Sequence, residues 1–173
     1  VTNPEGFMPY SHADGTVARP WATPGTPGLE HRIGGLEKEN ETGNVSYDPA
    51  NHHFMNEHRQ NKVDAIANYI PEAKAYGDDS GELLVLGWGG THGAIRSSVD
   101  RAQKAGHSVS HLHLRHINPF PKNLGELLSN YKKVLIPELN LGQLSTMIRA
   151  KYLVDAQCLN KVAGKPFTTA EVY

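Results

Sequence analysis

Cysteine is nearly absent from this sequence, because Cys158 is the only one among 173 residues. A single thiol makes no internal disulfide and no cysteine metal cluster. No apolar run approaches the roughly 18 residues that a membrane-spanning helix needs. Charge of one sign is also lacking: 17 Lys and Arg balance 18 Asp and Glu, so neither nucleic acid nor membrane is expected as a partner. No leader opens the chain at Val1, and we expect a cytoplasmic protein or a piece of one.

The first 48 residues differ in composition from the rest of the chain. Residues 1–50 hold 7 of the 17 glycines and 6 of the 11 prolines. Each proline disfavours helix at the residue before it and glycine permits positive φ, so the run from Ala22 to Gly28 favours turns. A stretch this long without periodicity is unusual inside a compact domain. We therefore predict an irregular, extended N-terminal arm or linker over residues 1–48.

A helix is predicted immediately after this arm. The Asp48 side chain can accept hydrogen bonds from free backbone N–H groups, and Pro49 is well tolerated at the first helical position. The pattern favours helix as far as Tyr69, because Pro71 disfavours helix at the residue before it. Residues 49–80 are accordingly predicted to form one helix and a connection.

From Gly81 onward, strand patterns alternate with helix patterns. Residues 83–86 (LLVL) form a continuous apolar run, which is typical of a strand buried on both faces. Further strands are predicted at 108–114, 133–137 and 158–162, with helices between them. Such alternation predicts a mostly parallel sheet covered by helices. We expect residues 81–173 to form an α/β domain, a Rossmann-like three-layer sandwich.

A glycine-rich turn follows the first of these strands. Turns between a strand and a helix bind phosphate in many α/β proteins, through free N–H groups at the helix N-terminus. Here His92 stands where the dinucleotide pattern G-x-G-x-x-G needs its last glycine, and no P-loop Lys-Ser/Thr pair occurs. The glycines are better explained by close packing of helix against sheet. Trp88, Thr91 and His92 are candidates for contact with a ligand or a neighbouring subunit.

A second group of polar residues follows the third strand of the predicted sheet. Glu138, Asn140 and Gln143 are expected at the carboxyl end of that sheet, the edge where ligands usually bind. Asn140 is equally suited to capping the next helix through its side-chain oxygen. Helix capping, subunit packing and ligand contact all stay open for this group.

Ten histidines raise the question of a metal site. His53 and Glu57 lie one helical turn apart, and His111 and His113 share one face of a predicted strand. Each spacing supplies only two ligands, whereas zinc takes three or four, so structural or solvated histidines are the better interpretation. Cys158 lies in an apolar stretch and is expected to be an inert core thiol. No residue is assigned a catalytic or metal-binding role.

Three segments, in this order and spacing, resemble one family of enzymes. They are 87–95 (GWGGTHGAI), 113–121 (HLRHINPFP) and 137–144 (PELNLGQL). They look like the α subunit of 2-oxoacid:ferredoxin oxidoreductases, most closely the 2-oxoglutarate type. Two upstream segments, 23–31 (TPGTPGLEH) and 43–49 (GNVSYDP), are similar to the same subunit.

The resemblance implies a function that the motifs alone do not. Members of this family convert a 2-oxoacid, coenzyme A and oxidised ferredoxin into acyl-CoA, carbon dioxide and reduced ferredoxin, using thiamine diphosphate, magnesium and iron–sulfur clusters. The chain resembles the connecting segment and the transketolase C-terminal-like domain, so we expect no cofactor and no independent activity in this piece. The implied partners are a β subunit that carries thiamine diphosphate, other subunits of the complex, ferredoxin and coenzyme A.

Within that family, this domain is expected to organise subunits and to form one side of the substrate or coenzyme A approach. The candidates for such contacts are Trp88, Thr91, His92, Glu138, Asn140 and Gln143. Two alternatives stay open. One is the C-terminal domain of another thiamine enzyme, of the transketolase or 2-oxoacid dehydrogenase β type. The other is a stand-alone module that binds coenzyme A or a nucleotide.

Overall fold

A computed structural model describes residues 1–12 and 16–173 of the chain. The chain forms two compact units, Val1–Tyr69 and Ile70–Tyr173. The sequence patterns place boundaries at residues 48 and 80 instead. The structure thus groups the first helix with the segment that precedes it, and groups the connection after that helix with the α/β domain.

The first unit is irregular backbone followed by helix α1 (Pro49–Ala65) and a 3-10 turn at Ile66–Asn68. As predicted, Pro49 opens the helix and the Asp48 side chain accepts a hydrogen bond from the Ala50 N–H at 3.0 Å. The α-helix ends before the predicted Tyr69, because its last turn tightens into the 3-10 turn.

The second unit contains a five-stranded sheet. Its strands are β1 (Ala75–Tyr76), β2 (Gly81–Trp88), β3 (Val109–Leu114), β4 (Tyr131–Glu138) and β5 (Gln157–Asn160). Its helices are α2 (His92–Lys104), α3 (Leu124–Ser129), α4 (Gln143–Tyr152) and α5 (Thr169–Val172). No helix in the described part of the chain is long and apolar enough to cross a membrane.

The strand order is β1-β3-β2-β4-β5, and β2 to β5 run parallel. The predicted α/β architecture with a mostly parallel sheet is therefore confirmed. Strand β1 runs antiparallel to β3 and was not predicted, nor was helix α5. Both elements are too short to show the periodicity on which a sequence prediction depends.

The two faces of the sheet carry separate apolar cores. Leu84 and Leu86 of β2 belong to the core that holds the buried leucines of α3 and α4, whereas Val85 packs with Ile95 and Val99 of α2. Successive side chains of a strand point to opposite faces, so a strand covered on both sides is apolar at every position. This arrangement explains the continuous run at residues 83–86.

Gly87 lies where β2 and α2 come closest together. A Cβ atom at this position would lie 2.5 Å from Ile95 Cδ1 and 3.0 Å from Thr91 Oγ1. Ile95 is fully buried and has little freedom to move away. The missing side chain therefore permits the close helix-to-sheet packing expected of the glycine-rich turn.

We expect Gly87→Ala to lower the free energy of unfolding by about 1–3 kcal/mol, the usual cost of overpacking a core. Ile95→Val removes the atom that the new methyl group meets first. The loss of stability in the double variant should therefore be smaller than the sum of the losses in the two single variants. Gly93→Ala is the matched control, because nothing lies within 4 Å of its Cβ position in α2. That control should gain roughly 0.5–1 kcal/mol. Urea denaturation compares the wild type with the three single variants and the Gly87→Ala/Ile95→Val double variant, and an unchanged Gly87→Ala midpoint would contradict the close packing.

Candidate functional site

The carboxyl ends of β2 and β4 lie side by side at the point where the strand order reverses. From β2 the chain crosses to β3 on one side, and β4 pairs with β2 on the other. In open α/β sheets, ligand crevices form outside the carboxyl ends of the strands at such a switch point. Trp88 ends β2 and Glu138 ends β4, so the two polar groups predicted from the sequence meet here.

The Glu138 carboxylate is the centre of this edge and is fully buried. Its Oε1 accepts hydrogen bonds from Trp88 Nε1 at 3.2 Å, Asn140 Nδ2 at 3.2 Å and the Leu144 N–H at 2.9 Å. Its Oε2 accepts one from the Ser145 N–H at 3.0 Å. Both oxygens of the carboxylate therefore accept from donors of the same unit, three at Oε1 and one at Oε2. The group is arranged as a structural anchor.

Helix α4 supplies two of these donors from its first turn. The free N–H groups and the dipole at a helix N-terminus favour a negative charge, which is what Glu138 provides. Asn140 Oδ1 accepts from the Gly142 N–H at 2.7 Å and the Gln143 N–H at 3.2 Å, so Asn140 caps the same helix. The Gln143 side chain itself is exposed. Gly142 adopts φ 97° where the chain turns into the helix.

Thr91 closes the glycine-rich turn and is itself buried. Its hydroxyl donates to the Trp88 carbonyl at 2.8 Å and accepts from the Trp88 N–H at 3.2 Å. A shallow cavity of about 240 Å³ lies beside this turn and is lined by Trp88, Gly89, Gly90, Thr91, Leu139 and Asn140. It is smaller than the ~300–1,000 Å³ of ordinary ligand sites, so it suits part of a ligand or a side chain of a neighbouring protein.

His92 does not join this group. It packs against His111 and His113 of β3, with ring centroids 5.3 and 4.9 Å away. His111 Nε2 and His113 Nδ1 are buried with no hydrogen-bond partner in the described part of the chain. Burial lowers the pKa of His111 to about 4, and burial also lowers the pKa of His113. Among residues 1–12 and 16–173, no three His, Cys, Asp or Glu side chains are placed to hold a metal ion.

Cys158 is exposed, so the expectation of a core thiol is wrong. The reason is that β5 is an edge strand of the sheet. The thiol donates a hydrogen bond to Ser145 Oγ at 3.0 Å, next to the turn that Glu138 holds. Sequence reasoning missed this contact because residues 145 and 158 belong to different elements.

Because Glu138 anchors these groups, we expect the stability of the fold to be sensitive even to a substitution that keeps the size of the side chain. In Glu138→Gln, one acceptor oxygen becomes an NH₂ group that faces a backbone or side-chain N–H. We expect the free energy of unfolding to fall by about 1–3 kcal/mol, the cost of an unsatisfied buried donor. Glu72→Gln makes the same chemical change at an exposed position and should stay within about 0.5 kcal/mol. Equal urea midpoints for the two variants would show that Glu138 anchors nothing.

The buried histidines predict a stability that depends on pH. An unfolded histidine titrates near 6.5, whereas folded His111 titrates at about 4, so the unfolded chain binds more protons between these values. The free energy of unfolding should therefore fall as the pH drops from about 6.5 towards 4, by at most ~1.4 kcal/mol per pH unit for this group. Positive charge on His92, His113 and Arg96 adds to the effect of burial, and Asp100 opposes it.

Urea denaturation at pH 4.5 to 7 tests this dependence. His111→Leu removes the titrating group and should reduce the slope of stability against pH. His107→Gln removes an exposed histidine of the same unit and should leave the slope as it was. If His111→Leu keeps the full slope, the acid sensitivity comes from other groups.

The chain is similar to subunits of 2-oxoacid oxidoreductases. It is 51% identical over 170 residues to the 2-oxoglutarate oxidoreductase subunit KorA of Mycobacterium tuberculosis, a match that covers 97% of this chain and 26% of KorA. It is 34% identical over 119 residues to the alpha subunit of 2-oxoacid:ferredoxin oxidoreductase 1 of Aeropyrum pernix, covering 65% of this chain and 19% of that subunit. The chain thus spans about a quarter or less of the length of these curated relatives.

A solved structure shares the fold. It is the 2-oxoglutarate:ferredoxin oxidoreductase from Magnetococcus marinus with 2-oxoglutarate, coenzyme A and succinyl-CoA bound, which aligns with a TM-score of 0.87 and 29% identity over 96% of this chain and 29% of that chain. The family described as pyruvate:ferredoxin oxidoreductase core domain II matches residues 81–172, more than half of the sequence. The resemblance found in the sequence is confirmed, and the chain belongs to the pyruvate:ferredoxin oxidoreductase core domain II family.

Proposed function

We propose that the chain is the connecting segment and second core domain of the α subunit of a 2-oxoacid:ferredoxin oxidoreductase whose substrate is 2-oxoglutarate. The observation that carries this proposal is the 51% identity to KorA over 97% of the chain. The whole enzyme would convert 2-oxoglutarate and coenzyme A into succinyl-CoA and carbon dioxide, passing two electrons to ferredoxin. The molecules named with the Magnetococcus marinus enzyme are the same substrates and the same acyl-CoA product.

Within this enzyme, the second unit has a structural role at the edge of the substrate site. The polar groups at the switch point bond to one another, because the Glu138 carboxylate takes four donors and Asn140 caps α4. Beside the exposed Gln143, the edge presents two aliphatic side chains, with Leu139 38% and Leu141 80% exposed. Exposed aliphatic side chains beside a cavity suit packing against another subunit or the carbon chain of a substrate. Trp88 and Asn140 line that cavity and would make the contact.

Thiamine diphosphate, magnesium and iron–sulfur clusters belong to this proposal for the whole enzyme. The residues of this chain do not fit the metal ion or the clusters: no three potential ligands converge in the described part of the chain, and a cluster takes four cysteines where the sequence has Cys158 alone. The proposal assigns them to a β subunit and to other parts of the complex, with ferredoxin and coenzyme A as substrates and the cytoplasm as location.

The other two interpretations have less support. A transketolase or 2-oxoacid dehydrogenase β subunit does not account for the match of residues 81–172 to the ferredoxin oxidoreductase family. A stand-alone module does not account for relatives in which the matching region is 26% of a longer subunit.

The test uses the complete α subunit that contains this sequence, produced together with its β subunit. We expect reduction of ferredoxin or methyl viologen that requires both 2-oxoglutarate and coenzyme A, with a higher kcat/KM for 2-oxoglutarate than for pyruvate. A higher kcat/KM for pyruvate would overturn the proposed substrate but would leave the family assignment unchanged. An assembled enzyme that turns over no 2-oxoacid would overturn the activity.

A further inference from the structure

The first unit contains a pocket of about 510 Å³ whose walls are rich in positive charge. This volume lies within the ~300–1,000 Å³ that small-molecule sites occupy. Four of its lining residues are basic and one is acidic: Arg19, Lys38, Arg59 and Lys62 against Glu37. The rest of the wall is largely apolar. The pocket is therefore a local concentration of positive charge in a chain whose net charge is −1.

Three of these cations have no carboxylate partner among the described residues, and one of the three, Lys38, donates instead to the carbonyls of Gly34 and Leu36. Arg59 Nη1 lies 3.4 Å from Glu37 Oε1, so the one acidic residue of the pocket is already engaged. Arg19 and Lys62 form no such pair in the part of the chain that the structure describes. Arg19 lies against the ring of Tyr10, with Cζ 4.1 Å from the ring centre. The pocket therefore offers two cations that no carboxylate of residues 1–12 and 16–173 pairs with.

Two histidines of the pocket wall also lack partners. The rings of His12 and His58 lie 3.9 Å apart, and the Nε2 atom of each is buried without a hydrogen-bond partner among residues 1–12 and 16–173. Burial lowers the pKa of His12, and the charges of His58, Arg19 and Lys62 lower it further, while Glu41 raises it. Unpaired buried polar atoms are rare in native proteins, so a missing partner is the simplest explanation.

We propose that this pocket binds a small molecule through a phosphate or diphosphate group. A phosphate oxygen accepts from guanidinium, ammonium and imidazole donors alike, and its double charge matches Arg19 and Lys62 together. The apolar side chains of Val17, Ile33 and Met55 in the wall suit the carbon part of such a ligand. This inference goes beyond the function proposed above, and the pocket shares no residue with the sheet edge.

Isothermal titration calorimetry of the complete α subunit that contains this sequence tests the site with pyrophosphate, ADP and 2-oxoglutarate as ligands. 2-Oxoglutarate is a dianion without a phosphate group. It therefore distinguishes binding that depends on negative charge alone from binding that depends on the phosphate group. We expect pyrophosphate and ADP to bind and 2-oxoglutarate to bind much more weakly. Arg19→Gln and Lys62→Gln should each weaken phosphate binding roughly tenfold, since each removes one charged donor. Lys74→Gln, an exposed change in the second unit, should leave it unaltered.

A phosphate beside His12 also favours the protonated ring, so binding near pH 7 should take up protons. Titrations in two buffers of different ionisation enthalpy measure this uptake, and His12→Gln should reduce it. No binding of either phosphate ligand would overturn the proposal. Binding unaffected by Arg19→Gln and Lys62→Gln would place the phosphate elsewhere and overturn it too. If 2-oxoglutarate binds as tightly as the phosphate ligands, the pocket accepts any dianion, and the proposal of a phosphate site is overturned.

Discussion

The bond between the buried carboxylate of Glu138 and the indole N–H of Trp88 joins the two halves of the α/β unit. Trp88 ends β2 and Glu138 ends β4, and the same carboxylate also holds the first turn of α4. A charge buried in this way is tolerated only while its donors stay in place. The positions of the glycine-rich turn, the helix and the cavity between them therefore depend on one side chain.

Sequence reasoning found the parts of this edge and not their connection. The run at 83–86, the turn after it and the polar residues after the third strand are local patterns, and each predicted its element correctly. The bond from Trp88 to Glu138 spans 50 residues and exists only because β4 pairs with β2. Strand patterns do not reveal which strands are neighbours, so the contact was invisible. The contacts of His92 with His111 and His113 were invisible for the same reason, because those two residues lie on β3.

The basic pocket could not be predicted from the sequence, for a different reason. Arg59 and Lys62 share one face of α1, but Arg19 and Lys38 stand on irregular backbone, where no periodicity relates them to the helix. A balanced total charge also hides a local excess, because the carboxylates lie elsewhere. Irregular backbone brings together residues that no strand or helix pattern connects, and only coordinates show that they converge.

The two units differ in what their polar groups still need. At the sheet edge, Glu138, Asn140 and Thr91 bond to neighbouring parts of the same unit, and exposed leucines remain for a partner. In the first unit, the Nε2 atoms of His12 and His58 have no hydrogen-bond partner among the described residues, and Arg19 and Lys62 form no ion pair there. Unpaired ring nitrogens also occur in the second unit, at His111 and His113, so the difference lies in the cations that line the pocket of the first unit. The proposed recognition of a small anion is therefore better placed in the first unit than in the α/β domain that follows it.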